Sequence, residues 1–185
     1  TKARGVTGSP SPINDAFNID YVAHEMGHQW GATHTFDNSC SGNRTASTSV
    51  EPGSGSTIMA YAGICPPNIK ARSDAYFHVV SVNQMYVNIT QGVGSSCGAN
   101  TSNNNQVPVI QALTNYSIPY GTAFTLSANA TDPDGDALTY LWEQTDTRTT
   151  TTSTAPSATQ TSGAVFRSQL PTTSNERTFP VLTSV

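Results

Sequence analysis

The hydrophobic positions change rhythm along this chain. Val22, Met26 and Trp30 recur every four residues, so the spacing predicts a helix with one buried apolar stripe. Asn18 is a suitable N-cap for it and Gly31 a suitable stop. Before it, Gly5, Gly8, Pro10 and Pro12 forbid a regular element. After it, residues 36–57 are so rich in Ser, Thr and Gly that they read as a loop too polar for core. The helical rhythm returns at Val82, Met85, Tyr86 and Ile89, which predict one buried face. Ser81 would cap this second helix, with Gln84 reaching back as a capping box.

The stretch GVGSSCGANTSNNNQ, residues 92–106, is a linker by composition. Beyond it the period drops from 3.6 to 2. AFTLSANA and ALTYLWEQ alternate apolar with small or polar residues, and Pro and Gly punctuate at strand-like intervals. The predicted fold class is therefore α+β: a helical part over residues 1–91, the linker, and an antiparallel β-sandwich over 107–185. That sandwich resembles the immunoglobulin-like or polycystic-kidney-type modules attached to bacterial exoenzymes. The Thr-rich run 145–163 is expected to be a mobile loop, and the sandwich is expected to stop before its last strands.

Composition narrows the classes. Only 11% of residues are charged and the net charge is −4, so there is no basic footprint for nucleic acid. No apolar run approaches the length of a membrane span. Thr1, not methionine, opens the chain and no signal segment is visible, so a processed or cut N-terminus is expected.

Three of the four histidines lie in HEMGHQWGATH, His24 to His34. On a helix, His24 and His28 share one face, about 5–6 Å apart at Cβ. Gly31 lets the chain turn back and deliver His34 to the same point, because glycine adopts left-handed backbone without a Cβ penalty. Three nitrogens with a fourth position open for water suit a catalytic Zn2+. Glu25 follows the first ligand and can take a proton from the activated water as general base. The fourth histidine, His78 in FHVV, reads as structural. Cys40 and Cys65 would join the two segments that wrap the metal, leaving Cys97 as the odd cysteine.

HExxHxxGxxH followed by STIMAYAGIC around Met59 resembles the metzincin zinc endopeptidases, in particular the reprolysin-like (adamalysin-like) branch in secreted bacterial form. The resemblance implies His24, His28 and His34 as zinc ligands, Glu25 as base and Met59 as the apolar floor beneath the metal. Tyr61 resembles a tyrosine that astacin- and serralysin-like members place near the zinc, where it ligates or stabilises an oxyanion. Reprolysins proper usually follow the third histidine with aspartate; Thr35 stands here. The resemblance also leaves Cys97 without a partner and implies an upstream half-domain whose edge strand binds extended substrate. Too few residues precede His24 for that sheet, so the isolated chain is expected to have little peptidase activity.

One further run bears on metal. DPDGDALTY places Asp132, Asp134 and Asp136 at alternate positions, the spacing of a Ca2+ site with hard oxygen ligands. The plainer reading, a polar Asp-Gly turn, is preferred because the rest of an EF-hand loop is lacking. The reading of the whole is a secreted zinc endopeptidase acting on protein or peptide substrates. Its rival is an adhesive surface protein with a relic metal site, and retention of Glu25 weighs against that rival.

Overall fold

A computed structural model describes residues 5–99, 101–148, 157 and 159–180. The chain divides into two compact units, one of Thr1–Ala99 with Glu143–Ser168, the other of Asn100–Trp142 with Gln169–Val185. Helix and short antiparallel sheets are both present, consistent with the α+β class.

In the first unit helical structure begins at α1 (Asp15–Phe17), passes through a π-helical turn (Asn18–Ala23) and continues as α2 (His24–Gln29). The amide of Asn18 already donates to Asn14 O at 2.9 Å, so Asn18 lies inside the helical run and is not its cap. The buried side also differs from the predicted stripe. Met26 and Trp30 are 51% and 49% exposed, whereas His24 and Gly27 are buried. The reason is the core beneath: Ala32, Ile58 and Met59, with Ile19, Ala23, Phe77 and Met85 against them. Ile19, Ala23, His24 and Gly27 face it, which turns Met26 outward.

Helix α3 (Val79–Thr90) starts earlier than predicted and is capped by His78, whose Nδ1 accepts from the amide of Val80 at 3.3 Å. Ser81 is inside the helix and fully buried, and Gln84 reaches Thr33, so there is no capping box. The face that packs is Ser81, Gln84, Met85 and Asn88, while Val82, Tyr86 and Ile89 are exposed. Polar side chains occupy the inner face because they hold the neighbouring turn: Gln84 Oε1 accepts from the amide of Thr33 at 2.9 Å, and Asn88 Nδ2 donates to Trp30 O at 2.9 Å.

The largest departure from the sequence pattern is the loop 36–57. Thr48 to Ala60 is buried without interruption, as are Thr35 to Asn38. A polar core survives only if its donors and acceptors are paired, and here one carboxylate, Glu51, meets many of them. Cys40 and Cys65 form a disulfide with Cα atoms 5.5 Å apart, as the metal-wrapping argument requires, and Cys97 is free and exposed.

The segment after Trp142 is held within the first unit by Glu143, Gln144 and Arg148. Gln144 Oε1 accepts from the amides of Val165 and Phe166 at 2.9 and 3.0 Å. Arg148 Nε lies 3.0 Å from Asp37 Oδ2. Of the threonine-rich run expected to be a loop, residues 149–156 and 158 lie outside the described residues, as do 1–4, 100 and 181–185.

The second unit holds β1 (Val109–Ile110), β2 (Phe124–Ser127), β3 (Ala130–Thr131) and β4 (Glu176–Phe179). β1 pairs antiparallel with β3, and β2 with β4 in the register Phe124↔Phe179 to Ser127↔Glu176. The alternation predicted for FTLS is present: Phe124 and Leu126 are half-buried, Thr125 and Ser127 exposed. The rings of Phe124 and Phe179 stack 5.1 Å apart and the Arg177 guanidinium lies over Phe179. ALTYLWEQ, expected as a strand, contributes only the bridge Tyr140↔Thr172. Its last two residues, Glu143 and Gln144, are committed to the first unit instead.

Candidate metal centre

α2 presents His24 and His28 one turn apart, and Gly31 (φ +102°) reverses the chain so that His34 meets them. A Cβ at Gly31 would also come 3.1 Å from Asn88 Cβ. His34 Nε2 lies 3.3 Å from His24 Nε2 and 3.1 Å from His28 Nε2. All three ligand atoms fall within 4.8 Å of one another. For metal–nitrogen bonds of about 2.0–2.1 Å, tetrahedral geometry spaces two nitrogens by about 3.3 Å. Both nitrogen separations at His34 match that spacing, so the cluster suits one small tetrahedral ion.

The opposite nitrogen of each ring is equally fixed. Nδ1 of His24 lies 2.7 Å from Ile58 O, that of His28 2.9 Å from Ala32 O, and that of His34 2.6 Å from Asn43 O. A carbonyl can only accept, so each Nδ1 carries the proton and each Nε2 offers its lone pair inward. Backbone carbonyls thus select the metal-binding tautomer three times.

Electrostatics favour neutral rings at His24 and His34. Burial pulls the pKa of His24 down to about 4, opposed by its bond to Ile58 O and aided by the charges of His28 and His34. Burial likewise lowers that of His34, opposed by Asn43 O. Neutral imidazole is the form that binds metal.

Around the triad, Tyr61 stands with its ring centroid 4.7 Å from that of His34 and 5.6 Å from that of His24. Burial raises the pKa of its hydroxyl, and the charge of Glu25 raises it further, so the phenol stays protonated at neutral pH. Glu25 is half-buried on α2. Met59 is fully buried beneath α2, where its Sδ would lie 2.3 Å from a Cβ built on Gly27. The structure thus brings together His24, His28, His34, Tyr61 and Met59.

Asp132, Asp134 and Asp136 behave otherwise. Asp132 Oδ1 accepts from the amides of Asp134 and Asp136 at 2.8 and 3.3 Å. The carboxylate of Asp134 binds the amide and side chain of Gln106. Among the described residues the three histidines alone form a metal-binding group. A Ca2+ site is not supported; the run is an Asx-type turn around Gly135, φ +82°.

Two residues of this neighbourhood are absent from a reading by motif. Gly27 fills an unspecified position of HExxH, and Glu51 lies in a run read as surface loop. The available signal was the continuity of EPGSGSTIM with the methionine turn.

Comparison with known proteins agrees with the geometry. The family described as Metallo-peptidase family M12B Reprolysin-like matches residues 4–91, which supports a reprolysin-like metallopeptidase domain there. No curated protein and no solved structure gives a significant match. The match and the three-histidine cluster together support a zinc metallopeptidase acting on protein substrates.

Proposed function

We propose that this chain carries the metal-binding part of a secreted, zinc-dependent endopeptidase of the metzincin class. The observation that carries the proposal is the convergence of three Nε2 atoms whose rings are each locked by a backbone carbonyl. His24, His28 and His34 would hold the ion. When bound, zinc supplies a Lewis acid that polarises the scissile carbonyl and acidifies a water molecule.

The chain's own residues do the rest. Glu25, next to the first ligand, accepts the water's proton and passes it to the leaving amine. Tyr61, protonated and beside the triad, donates a hydrogen bond to the developing oxyanion. Met59 forms an apolar floor that keeps α2 seated over the turn. The Cys40–Cys65 disulfide favours an oxidising, extracellular setting, and no helix among the described residues is long and apolar enough to cross a membrane.

The part from residue 107 is proposed as an immunoglobulin-like accessory module, supported by the alternating burial and pairing of β2 with β4. Its boundary must allow for residues 143–168, which cluster with the first unit.

The test is zinc content together with hydrolysis of casein by the full-length protein, with and without a chelator. One zinc per chain and chelator-sensitive cleavage are expected. A protein with no bound zinc, or cleavage indifferent to chelation, would reject the reading.

A further inference from the structure

Glu51 is 1% exposed, and no catalytic step proposed above uses it. Its carboxylate is nevertheless the most heavily bonded side chain near the metal centre. Oε1 accepts from the hydroxyl of Thr35 at 2.6 Å and from the hydroxyl of Thr57 in a short bond. Oε2 accepts from the amides of Ser56 and Thr57 at 2.7 and 3.1 Å, and from the Ser56 hydroxyl at 3.2 Å. A buried carboxylate is tolerable only when its oxygens are met in this way.

What those donors belong to gives the arrangement its meaning. Thr35 follows His34 directly, and its amide donates to Met59 O at 3.2 Å. Thr57 precedes Ile58, whose carbonyl fixes the tautomer of His24. The backbone of Glu51 adds to the tie: its amide donates to Thr35 O at 2.9 Å, and its carbonyl accepts from Asp37 N at 2.9 Å. One residue therefore fastens the segment leaving the third histidine to the turn that orients the first. The turn is built to admit it, since a Cβ at Gly55 (φ +69°) would lie 3.3 Å from the Glu51 carboxyl carbon. His28 is fixed instead by Ala32 O, outside this network.

We propose that Glu51 is a positioning residue for the zinc centre, acting through Thr35 on His34 and through Thr57 and Ile58 on His24. The proposal rests on the reading of the three histidines as zinc ligands. It requires that weakening the Glu51 network loosens the ion itself as well as the fold. Outer-sphere partners of metal ligands typically change metal affinity by about 10–100-fold.

The experiment compares the full-length protein with Glu51→Gln, Thr35→Val and, as a control, Glu143→Gln. Glu143 is another buried carboxylate of the same unit, bonded to α3 and away from the ligand carbonyls. Zinc release to a chromophoric chelator is measured well below each unfolding midpoint, and the cobalt-substituted proteins give d–d spectra. Zinc loss is expected to be at least about tenfold faster in Glu51→Gln, smaller but in the same direction in Thr35→Val, and unchanged in Glu143→Gln. The cobalt bands should shift in the first two only. Parent-like release and spectra in both Glu51→Gln and Thr35→Val, with a lowered midpoint, would make Glu51 a stability residue and overturn the proposal. If Glu51→Gln does not fold, Thr35→Val decides alone. A parent protein that holds no zinc would instead sink the functional reading, and this proposal with it.

Discussion

Gly27 of α2 lies so close to Met59 beneath it that a Cβ there would meet the methionine Sδ at 2.3 Å and Phe77 at 2.9 Å. The contact explains why a residue without a side chain sits between the first two histidines. The apolar floor reaches the helix axis, and the imidazoles on either side are set at the height of the turn.

Gly27→Ala is therefore expected to destabilise the protein. The helix interior alone would gain up to about 1 kcal/mol from alanine. Overpacking a fitted core costs about 1–3 kcal/mol, and here a methyl group would collide with two fully or half-buried side chains. The second effect wins. A lowered thermal midpoint in both zinc-loaded and metal-free protein is the expected result; an unchanged or raised midpoint would show that Met59 yields freely.

Glu25→Gln and His34→Ala should fail differently. The first leaves all three nitrogens and their carbonyl partners in place, so zinc stoichiometry should hold while casein cleavage falls by roughly 10²–10⁴-fold. The second removes a ligand, so zinc affinity itself should collapse. Metal analysis after dialysis, run beside the cleavage assay, separates the two. Near-normal turnover in Glu25→Gln would exclude it as the base.

The metal-free protein should lose stability on mild acidification. An unfolded histidine titrates near 6.5, whereas His24 in the fold titrates at about 4 and His34 also below its ordinary value. Between those limits the unfolded chain takes up protons that the folded chain refuses, so stability present above about pH 6.5 drains away as the pH falls towards 4. Thermal midpoints recorded with a chelator at pH 7, 6, 5 and 4.5 should fall steadily. A flat profile would mean that the cluster opens to water before it unfolds.

The sequence disclosed the triad because its chemistry resides in side chains at fixed spacing, and Gly31 announces the turn that closes it. Cys40 and Cys65 were legible for the same reason. The rest depends on partners far apart in the chain. Nothing in the pattern of α3 tells that Gln84 and Asn88 will face inward, since their use is to hold Thr33 and Trp30 O. Nor does the polarity of 36–57 betray the burial of 36–38 and 48–57, because Glu51 meets the donors of Ser56 and Thr57 while Asn38 and Thr48 donate to carbonyls of neighbouring segments. Hydrophobic periodicity finds faces that bury against oil; it misses faces that bury against hydrogen-bonding groups.

Glu143 stands more than fifty residues beyond the family match yet within the first unit. Its side chain is 4% exposed, and Oε2 accepts from the amide of Val79, the first residue of α3, at 2.6 Å. Oε1 accepts from Ser168 Oγ, which in turn accepts from the hydroxyl of Tyr76 at 2.8 Å. His78 Nε2 lies 3.6 Å away, too far for a hydrogen bond but near enough for attraction when the ring is charged. A carboxylate at a helix N-terminus satisfies an orphan amide and complements the helix dipole. Glu143→Ala should therefore leave the buried Ser168 hydroxyl without its acceptor and uncap the Val79 amide, a loss of about 1–3 kcal/mol. Ser168→Ala removes a donor to Glu143 and the acceptor of the Tyr76 hydroxyl but leaves the Val79 amide capped, so it should destabilise the protein without loosening the start of α3. Urea midpoints give the magnitudes, and hydrogen exchange at Val79 and Val80 locates the effect at the start of α3. Because the zinc ligands are fixed by carbonyls of Ile58, Ala32 and Asn43, bound zinc should be retained in both variants below their midpoints. If Glu143→Ala is as stable as the parent, the segment 143–168 merely lies on the unit and does not brace it.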